Sequence, residues 1–240
     1  MVTHPDATRC TNRVAIVTGG SSGLGLEVTR KLARRGYAIV VTYALNQLAA
    51  DAVVEEVLVA HGCALAIRAD VADELDVERL FKETDEAFGG VDVVVHAARR
   101  AVIGPVAGPD VEAFDALHRA NVRGTFIVNQ QASRHLRAGG AIVNVFSCAV
   151  GLGHATSAAY AASKGAAEAI TPVLAGELLR HDIRVNAVDA WLGSSGTPAD
   201  IANIVAFLIS ARGRWINGQV IRANGGVTLN ETSVDVGSRT

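Results

Sequence analysis

The amino-acid sequence predicts an α/β fold, a single domain built on a doubly wound parallel sheet of about seven strands with helices on both faces. Three observations predict it. Short apolar, β-branched runs alternate with longer amphipathic stretches along the chain. The runs are apolar nearly throughout, as strands buried on both faces are. A glycine-rich turn joins the first run directly to the first amphipathic stretch.

The elements follow in order. Val14–Thr18 is an unbroken apolar run ending at the glycine turn, which opens a helix over Leu24–Arg35. Ala38–Tyr43 is the second strand, and Gln47–Ala60 is long enough to be the helix after it. Ala64–Arg68 and the Asp73–Phe88 helix repeat the unit, and Val91–His96 is the fourth strand. A long helical stretch, Val111–Leu136, leads to the strand Ala141–Ser147. The Ala-rich stretch Ala158–Arg180 leads to Ile183–Val188, and Pro198–Ser210 to Gln219–Arg222. Right-handed crossovers between parallel strands make the sheet doubly wound. Residues 13–226 are expected to form this domain, with a flexible segment at 1–12 and a polar tail at 227–240.

Composition excludes several classes. Of the 240 residues, 50% are hydrophobic and 19% charged, which suits a large buried core and not a disordered chain. The net charge of -2 and the isolated pairs Arg34-Arg35 and Arg99-Arg100 make no basic stripe, so no nucleic-acid partner is expected. No apolar run reaches membrane-spanning length, and the polar N-terminus lacks a signal-peptide core. The three cysteines, Cys10, Cys63 and Cys148, are widely spaced and in no metal-ligand pattern. A reduced, cytoplasmic protein without a metal site is expected.

The glycine turn reads Gly19-Gly20-Ser21-Ser22-Gly23-Leu24-Gly25. Glycines let backbone approach a pyrophosphate closely, and the following helix offers free N–H groups and a positive dipole end. Such a loop can also be a flexible turn. Its place between the first strand and helix points instead to a Rossmann-type dinucleotide site formed by Gly19, Ser21, Ser22, Gly23, Leu24 and Gly25. The second strand ends Thr42-Tyr43-Ala44-Leu45-Asn46, with no acid to bind ribose hydroxyls. That absence permits a 2′-phosphate and favours NADP, with NAD the alternative. Asp70, followed by Val71 after the third strand, could accept from an adenine amino group or simply shape a turn.

Tyr160 and Lys164 lie four residues apart in a helical stretch, so they share one face. A free tyrosine has a pKa of about 10, and a nearby ammonium lowers it. A tyrosine so tuned can exchange a proton with a substrate oxygen. Ser147 ends the fifth strand thirteen residues earlier, at the sheet edge where ligands of open α/β folds bind. Asn121 lies in the long helical stretch, where its amide could hold a water or a local helix distortion, or be an ordinary polar residue.

With these motifs the sequence resembles the short-chain dehydrogenase/reductase family from about Arg13 to Gly226, close to its 3-oxoacyl-[acyl-carrier-protein] reductase and glucose dehydrogenase branch. The resemblance rests on the glycine turn, the Ser147, Tyr160 and Lys164 spacing, and the Asn-Gly-Gly at Asn224–Gly226. It implies that Tyr160 is the general acid/base and that Ser147 polarises the carbonyl. It implies that Lys164 binds the nicotinamide ribose and that Asn121 holds a proton-relay water. Tyr43, Asp70, Val71, Ala97, Ala98, Tyr160 and Lys164 would complete the cofactor site, and the helices over Val111–Leu136 and Ser157–Leu179 would pair in a homodimer or tetramer. The implied activity is reduction of a ketone or oxoacyl substrate, free or carrier-bound.

Three segments depart from the family pattern. His96-Ala97-Ala98-Arg99 stands where Asn-Asn-Ala-Gly is usual, so bracing Asn side chains are expected to be lost and Arg99 replaces a glycine. Ala190-Trp191 replaces Pro-Gly, and Trp191–Pro198 replaces a long substrate loop. A chain so shortened could instead be a cofactor-binding sensor or complex subunit with little turnover.

Overall fold

The computed structural model describes residues 13–101, 104–106, 108, 111–147, 158–192 and 196–226, with Ser147 described by its backbone. The segments expected to be flexible at 1–12 and a tail at 227–240 lie outside the described residues. The strands are β1 Val14–Thr18, β2 Ala38–Tyr43, β3 Ala64–Arg68, β4 Val91–His96, β5 Leu136–Ser147, β6 Arg184–Ala190 and β7 Val220–Ala223. The helices are α1 Gly23–Ala33, α2 Gln47–Val59, α3 Glu74–Phe88, α4 Val111–His118, α5 Gly124–His135, α6 Ala158–Leu178 and α7 Pro198–Leu208.

All seven strands form one sheet in the order β3-β2-β1-β4-β5-β6-β7, and every neighbouring pair is parallel. Because side chains alternate across a strand, each strand feeds two cores. Ala15, Val17, Ile39 and Val41 pack under α1, α2 and α7 with Leu32, Val53 and Val205. Ile16, Val40 and Val94 pack under α3, α5 and α6 with Leu80, Ile127 and Leu174. The sheet is therefore sandwiched as expected, and the order of strands reverses between β1 and β4. A crevice opens beyond the strand ends at such a reversal.

Three sequence expectations are corrected. The long helix over Val111–Leu136 is three pieces, since a π-helical turn at Arg119–Arg123 separates α4 from α5. β5 begins earlier than Ala141, at Leu136, with a register shift against β4 and Gly139 at φ +79°. Glycine tolerates that backbone, so the strand continues where turn-forming residues suggested a loop. Cys63 is disulfide-bonded, against the expectation of reduced thiols, and its partner lies outside the described residues. Spacing in sequence cannot reveal which cysteines a fold brings together.

Candidate active site

β1 runs into the glycine turn, and the turn is built on close approach. A Cβ at Gly25 would come within 2.2 Å of the Gly19 carbonyl oxygen, and one at Gly19 within 2.9 Å of Ala98 Cα. Gly23, at φ +52°, has nothing within 4 Å of its Cβ position and so faces open space. The first turn of α1 has no side-chain cap from Ser22 and no acidic residue. By contrast Asn46 caps α2 and Asp73 caps α3. The α1 amides are thus left for an anion.

A cleft of about 660 Å³ opens along the carboxyl ends of the strands. Gly19, Ser21, Ser22, Gly23, Leu24 and Gly25 form one wall. Tyr43, Asp70 and Val71 line the end nearest β2 and β3, and Ala97 and Ala98 line the end of β4. The structure brings these eleven expected positions together. It adds residues that sequence reasoning did not single out for the cofactor, among them Leu45, Arg99, Arg100, Ala120 and Leu192, and it sets Trp191 at the same rim. Asp70 is both a turn residue and an ion-pair partner. Its carboxylate accepts from Ala72 N–H at 3.0 Å and meets Arg119 at 2.7 Å. Burial works to raise its pKa, but those two donors hold it below the ordinary value.

Beneath the cleft, His96 corrects the expected loss of bracing. Its Nδ1 lies 2.8 Å from Thr18 Oγ1 and its Nε2 3.1 Å from Thr125 Oγ1, so one ring ties β1 and β4 to α5. Thr18 Oγ1 also accepts from the N–H groups of Ala97 and Ala98, each at 3.2 Å. Burial, with the nearby Lys164 charge, lowers the His96 pKa to about 3. Thr18 and Thr125 carried no motif. A polar residue closing an apolar strand beside a glycine turn was the available signal.

Asn121 sits inside the π-helical turn, fully buried. Its Oδ1 accepts from Arg100 N–H at 2.9 Å, while its Nδ2 donates to the Arg100 carbonyl at 2.9 Å and to Ser163 Oγ at 3.0 Å. The amide thus staples the segment after β4 to α6, and both its donors are taken up. A held water would have to donate to an Asn121 oxygen, either Oδ1 beside the Arg100 N–H or the main-chain carbonyl, which accepts from Thr125 Oγ1 at 2.5 Å. The distortion that sequence reasoning allowed is the π turn itself.

Tyr160 and Lys164 lie on the buried face of α6, at 5% and 1% exposure, and are not among the described residues that line the cleft. Lys164 Nζ is 5.9 Å from the Tyr160 ring centroid. Burial, and then the charge of Arg99, lower the Lys164 pKa to about 8. Ser147 ends β5 in register with Ala190, and its side chain lies outside the described atoms. A further buried acid escaped sequence reasoning. Asp189 on β6 is 2% exposed, and its Oδ1 has no hydrogen-bond partner among the described residues. Burial and Glu168 push its pKa up to about 6, against the pull of Arg222.

The sequence pattern of the short chain dehydrogenases matches residues 13–198. The chain belongs to the short-chain dehydrogenase family. Among its relatives is an uncharacterised oxidoreductase of Methylorubrum extorquens, 37% identical over 90% of this chain and 97% of that protein. Versicolorin reductase of Emericella nidulans is 33% identical over 92% of this chain and 97% of its own. A short chain dehydrogenase of Burkholderia cenocepacia, solved in complex with NADP, superposes with a TM-score of 0.84 at 33% identity, covering 91% of this chain and 98% of that one. The fold and the oxidoreductase family are thereby established, whereas the finer 3-oxoacyl reductase and glucose dehydrogenase branch is not distinguished.

Proposed function

We propose that this family member is an NAD(P)(H)-dependent oxidoreductase that interconverts a carbonyl and an alcohol, reducing a ketone or 3-oxoacyl substrate. One observation carries the reading. A buried Tyr160–Lys164 pair sits on the helix that Asn121 ties, through Ser163, to Arg100 in the lining of a glycine-rich cleft whose α1 N-terminus is uncapped. A dinucleotide fits this cleft, because Gly19 and Gly25 leave no room for a Cβ and Gly23 faces open space. Gly19, Ser21, Ser22, Gly23, Leu24 and Gly25 would hold its pyrophosphate, Tyr43, Asp70 and Val71 its adenosine end, and Ala97, Ala98, Tyr160 and Lys164 its nicotinamide ribose. NADP is preferred over NAD in this reading, since no carboxylate ends β2, and two relatives were solved with NADP and NADPH.

The bound cofactor supplies the hydride. The chain supplies the proton. Lys164, as ammonium, favours the Tyr160 phenolate, so the hydroxyl can pass its proton to the carbonyl oxygen and recover it in the reverse direction. Ser147 polarises that carbonyl from the end of β5. Asn121 acts through the π turn, holding the segment after β4 against α6. A homo-oligomer is part of the proposal, since exposed apolar residues Val111, Phe126, Val173 and Leu179 sit on α4, α5, α6 and the turn after α6.

A second reading, a dinucleotide-binding sensor or complex subunit with little turnover, is favoured by the short link from Trp191 to α7 at Pro198. Lids exclude water and complete substrate pockets in many enzymes. The deciding experiment is a screen of carbonyl compounds for NADPH and NADH oxidation by the full chain, with Tyr160→Phe as control. Turnover that vanishes in Tyr160→Phe is expected. Tight dinucleotide binding without turnover on any carbonyl supports the sensor, and no binding refutes both.

A further inference from the structure

Arg99 follows directly on the place where the two walls of the cleft touch. The Gly19 turn lies against Ala98, too close for a Cβ. Ala97 and Ala98 are anchored through their N–H groups to Thr18 Oγ1, and Arg100 is anchored through both its N–H and its carbonyl to Asn121. The backbone of Arg99 is thus suspended between two fixed points, and its exposed side chain lines the cleft. Among the described residues the charged ones in the lining are Asp70, Arg99 and Arg100. Asp70 is taken by Arg119 at 2.7 Å. Among the described residues neither Arg99 nor Arg100 enters an ion pair. Among the described residues the lining therefore carries uncompensated positive charge on the segment after β4, which touches the glycine turn before α1. A guanidinium presents a planar fork of donors that matches phosphate oxygens.

We propose that Arg99 is an anion-holding arm of this cleft, and that its guanidinium takes the pyrophosphate of the dinucleotide from the side opposite the α1 amides. The inference rests on the dinucleotide reading of the cleft. An anionic group on the substrate offers the same oxygen chemistry, but the contact of Gly19 with Ala98 favours the pyrophosphate. It brings the root of Arg99 beside the glycine turn itself. The charge also reaches inward, since Arg99 adds to burial in lowering the Lys164 pKa.

Calorimetric titration of the full chain with NADP, NAD and ADP tests the assignment, comparing wild type with Arg99→Met and Arg99→Lys at low and raised salt. ADP carries the pyrophosphate without the nicotinamide or the 2′-phosphate. Arg99→Met is expected to weaken all three ligands by about tenfold, the worth of one charge-assisted contact. Arg99→Lys should recover part of that loss, and salt should weaken wild type more than Arg99→Met. An unchanged thermal midpoint is expected, since the side chain is exposed. Equal affinity of wild type and Arg99→Met for all three ligands overturns the proposal and leaves the dinucleotide reading standing. A loss confined to NADP overturns it in favour of the 2′-phosphate. A raised KM for a carboxylate-bearing carbonyl, but not for its methyl ester, with unchanged dinucleotide affinity overturns it in favour of the substrate. A wild-type chain that binds none of the three ligands overturns both the proposal and the reading beneath it.

Discussion

The Nε2 of His96 stands 3.1 Å from the hydroxyl oxygen of Thr125, and this contact determines the state of the ring. The Thr125 hydroxyl proton is committed to the Asn121 carbonyl at 2.5 Å. Toward His96 the hydroxyl can only accept, so Nε2 carries the proton. On the other side the two lone pairs of Thr18 Oγ1 are taken by Ala97 and Ala98 N–H, so its proton goes to Nδ1. Each ring nitrogen of His96 thus meets one hydroxyl, while the Ala97 N–H is shared between Thr18 Oγ1 and the Thr18 carbonyl. A second proton on the ring would face a hydroxyl that has nothing left to accept with, in agreement with the pKa near 3 that burial produces.

His96 is therefore expected to stay neutral, as the Nε2–H tautomer, from pH 5 to pH 8. Nitrogen-15 correlation spectra of the ring would report it directly. A titration with a midpoint near the ordinary histidine value would contradict the network. His96→Leu should leave the buried Thr18 hydroxyl proton without an acceptor and remove the donor to Thr125, lowering stability by about 1–3 kcal/mol, read by denaturant unfolding.

Gly23 and Gly25 should fail in different ways. The Cβ of Gly23→Ala enters open space, so the variant folds with only the strain of φ +52°. It should lose affinity for NADP, whose path the methyl obstructs. The Cβ of Gly25→Ala meets the Gly19 carbonyl at 2.2 Å, so that variant should lose thermal stability as well. Calorimetric binding paired with melting curves separates the two, and an intact NADP affinity in Gly23→Ala speaks against the cradle.

Tyr160→Phe should reduce turnover by about 10²–10⁴-fold while leaving dinucleotide affinity nearly unchanged. Lys164 adds a pH signature in the cofactor-free protein. Its native pKa of about 8 lies below its ordinary 10.5, so the native state resists its charge. That cost is full below pH 8 and fades as the pH rises toward 10.5. Lys164→Met should therefore melt at a higher temperature than wild type at pH 7, and the gap should close by pH 10.5. An equal or lower melting temperature at pH 7 would show that the ammonium is well compensated.

Asp189 gives the opposite window. Its native pKa of about 6 lies above its ordinary 3.8, so the folded state holds its proton more tightly than the unfolded chain. Its contribution to stability is present at low pH and is lost as the pH rises from about 4 to 6. Asp189→Asn should raise the melting temperature at pH 7.5 and gain little at pH 3.5. The charged groups facing it, Glu168 on α6 and Arg222 on β7, lie 3.9 Å apart and are untouched by the substitution, so a gain that is flat with pH would refute this account.

Much of this was readable in the sequence, for physical reasons. β1 through β4 have the predicted bounds, since buried parallel strands are written as apolar runs and the glycine turn marks its own place. The turn marks the Gly19–Gly25 part of the cleft lining, whereas Tyr43, Asp70, Val71, Ala97 and Ala98 follow from the family resemblance. The break between α4 and α5 was not readable, because a π turn leaves the helical periodicity almost intact while inserting Asn121 into a tertiary staple. His96 was read as a lost asparagine. Its two partners come from β1 and α5, far away in the chain, and only the fold shows that an imidazole spans them. Asp189 was passed over because an acid in a strand betrays its burial only when α6 is seen lying across it.

The β1–β4 pairing governs when the cleft comes into being. Thr18 and His96 are 78 residues apart, so the two walls meet only after a long loop has closed. The β1-α1-β2-α2-β3 half can assemble locally, but the wall of Ala97, Ala98 and Arg99 is missing until β4 docks on β1. A ligand that recognises only the finished crevice cannot guide the chain toward it and can only hold it once there. Such a ligand acts on the folded molecule's lifetime: it slows unfolding and leaves the folding rate untouched.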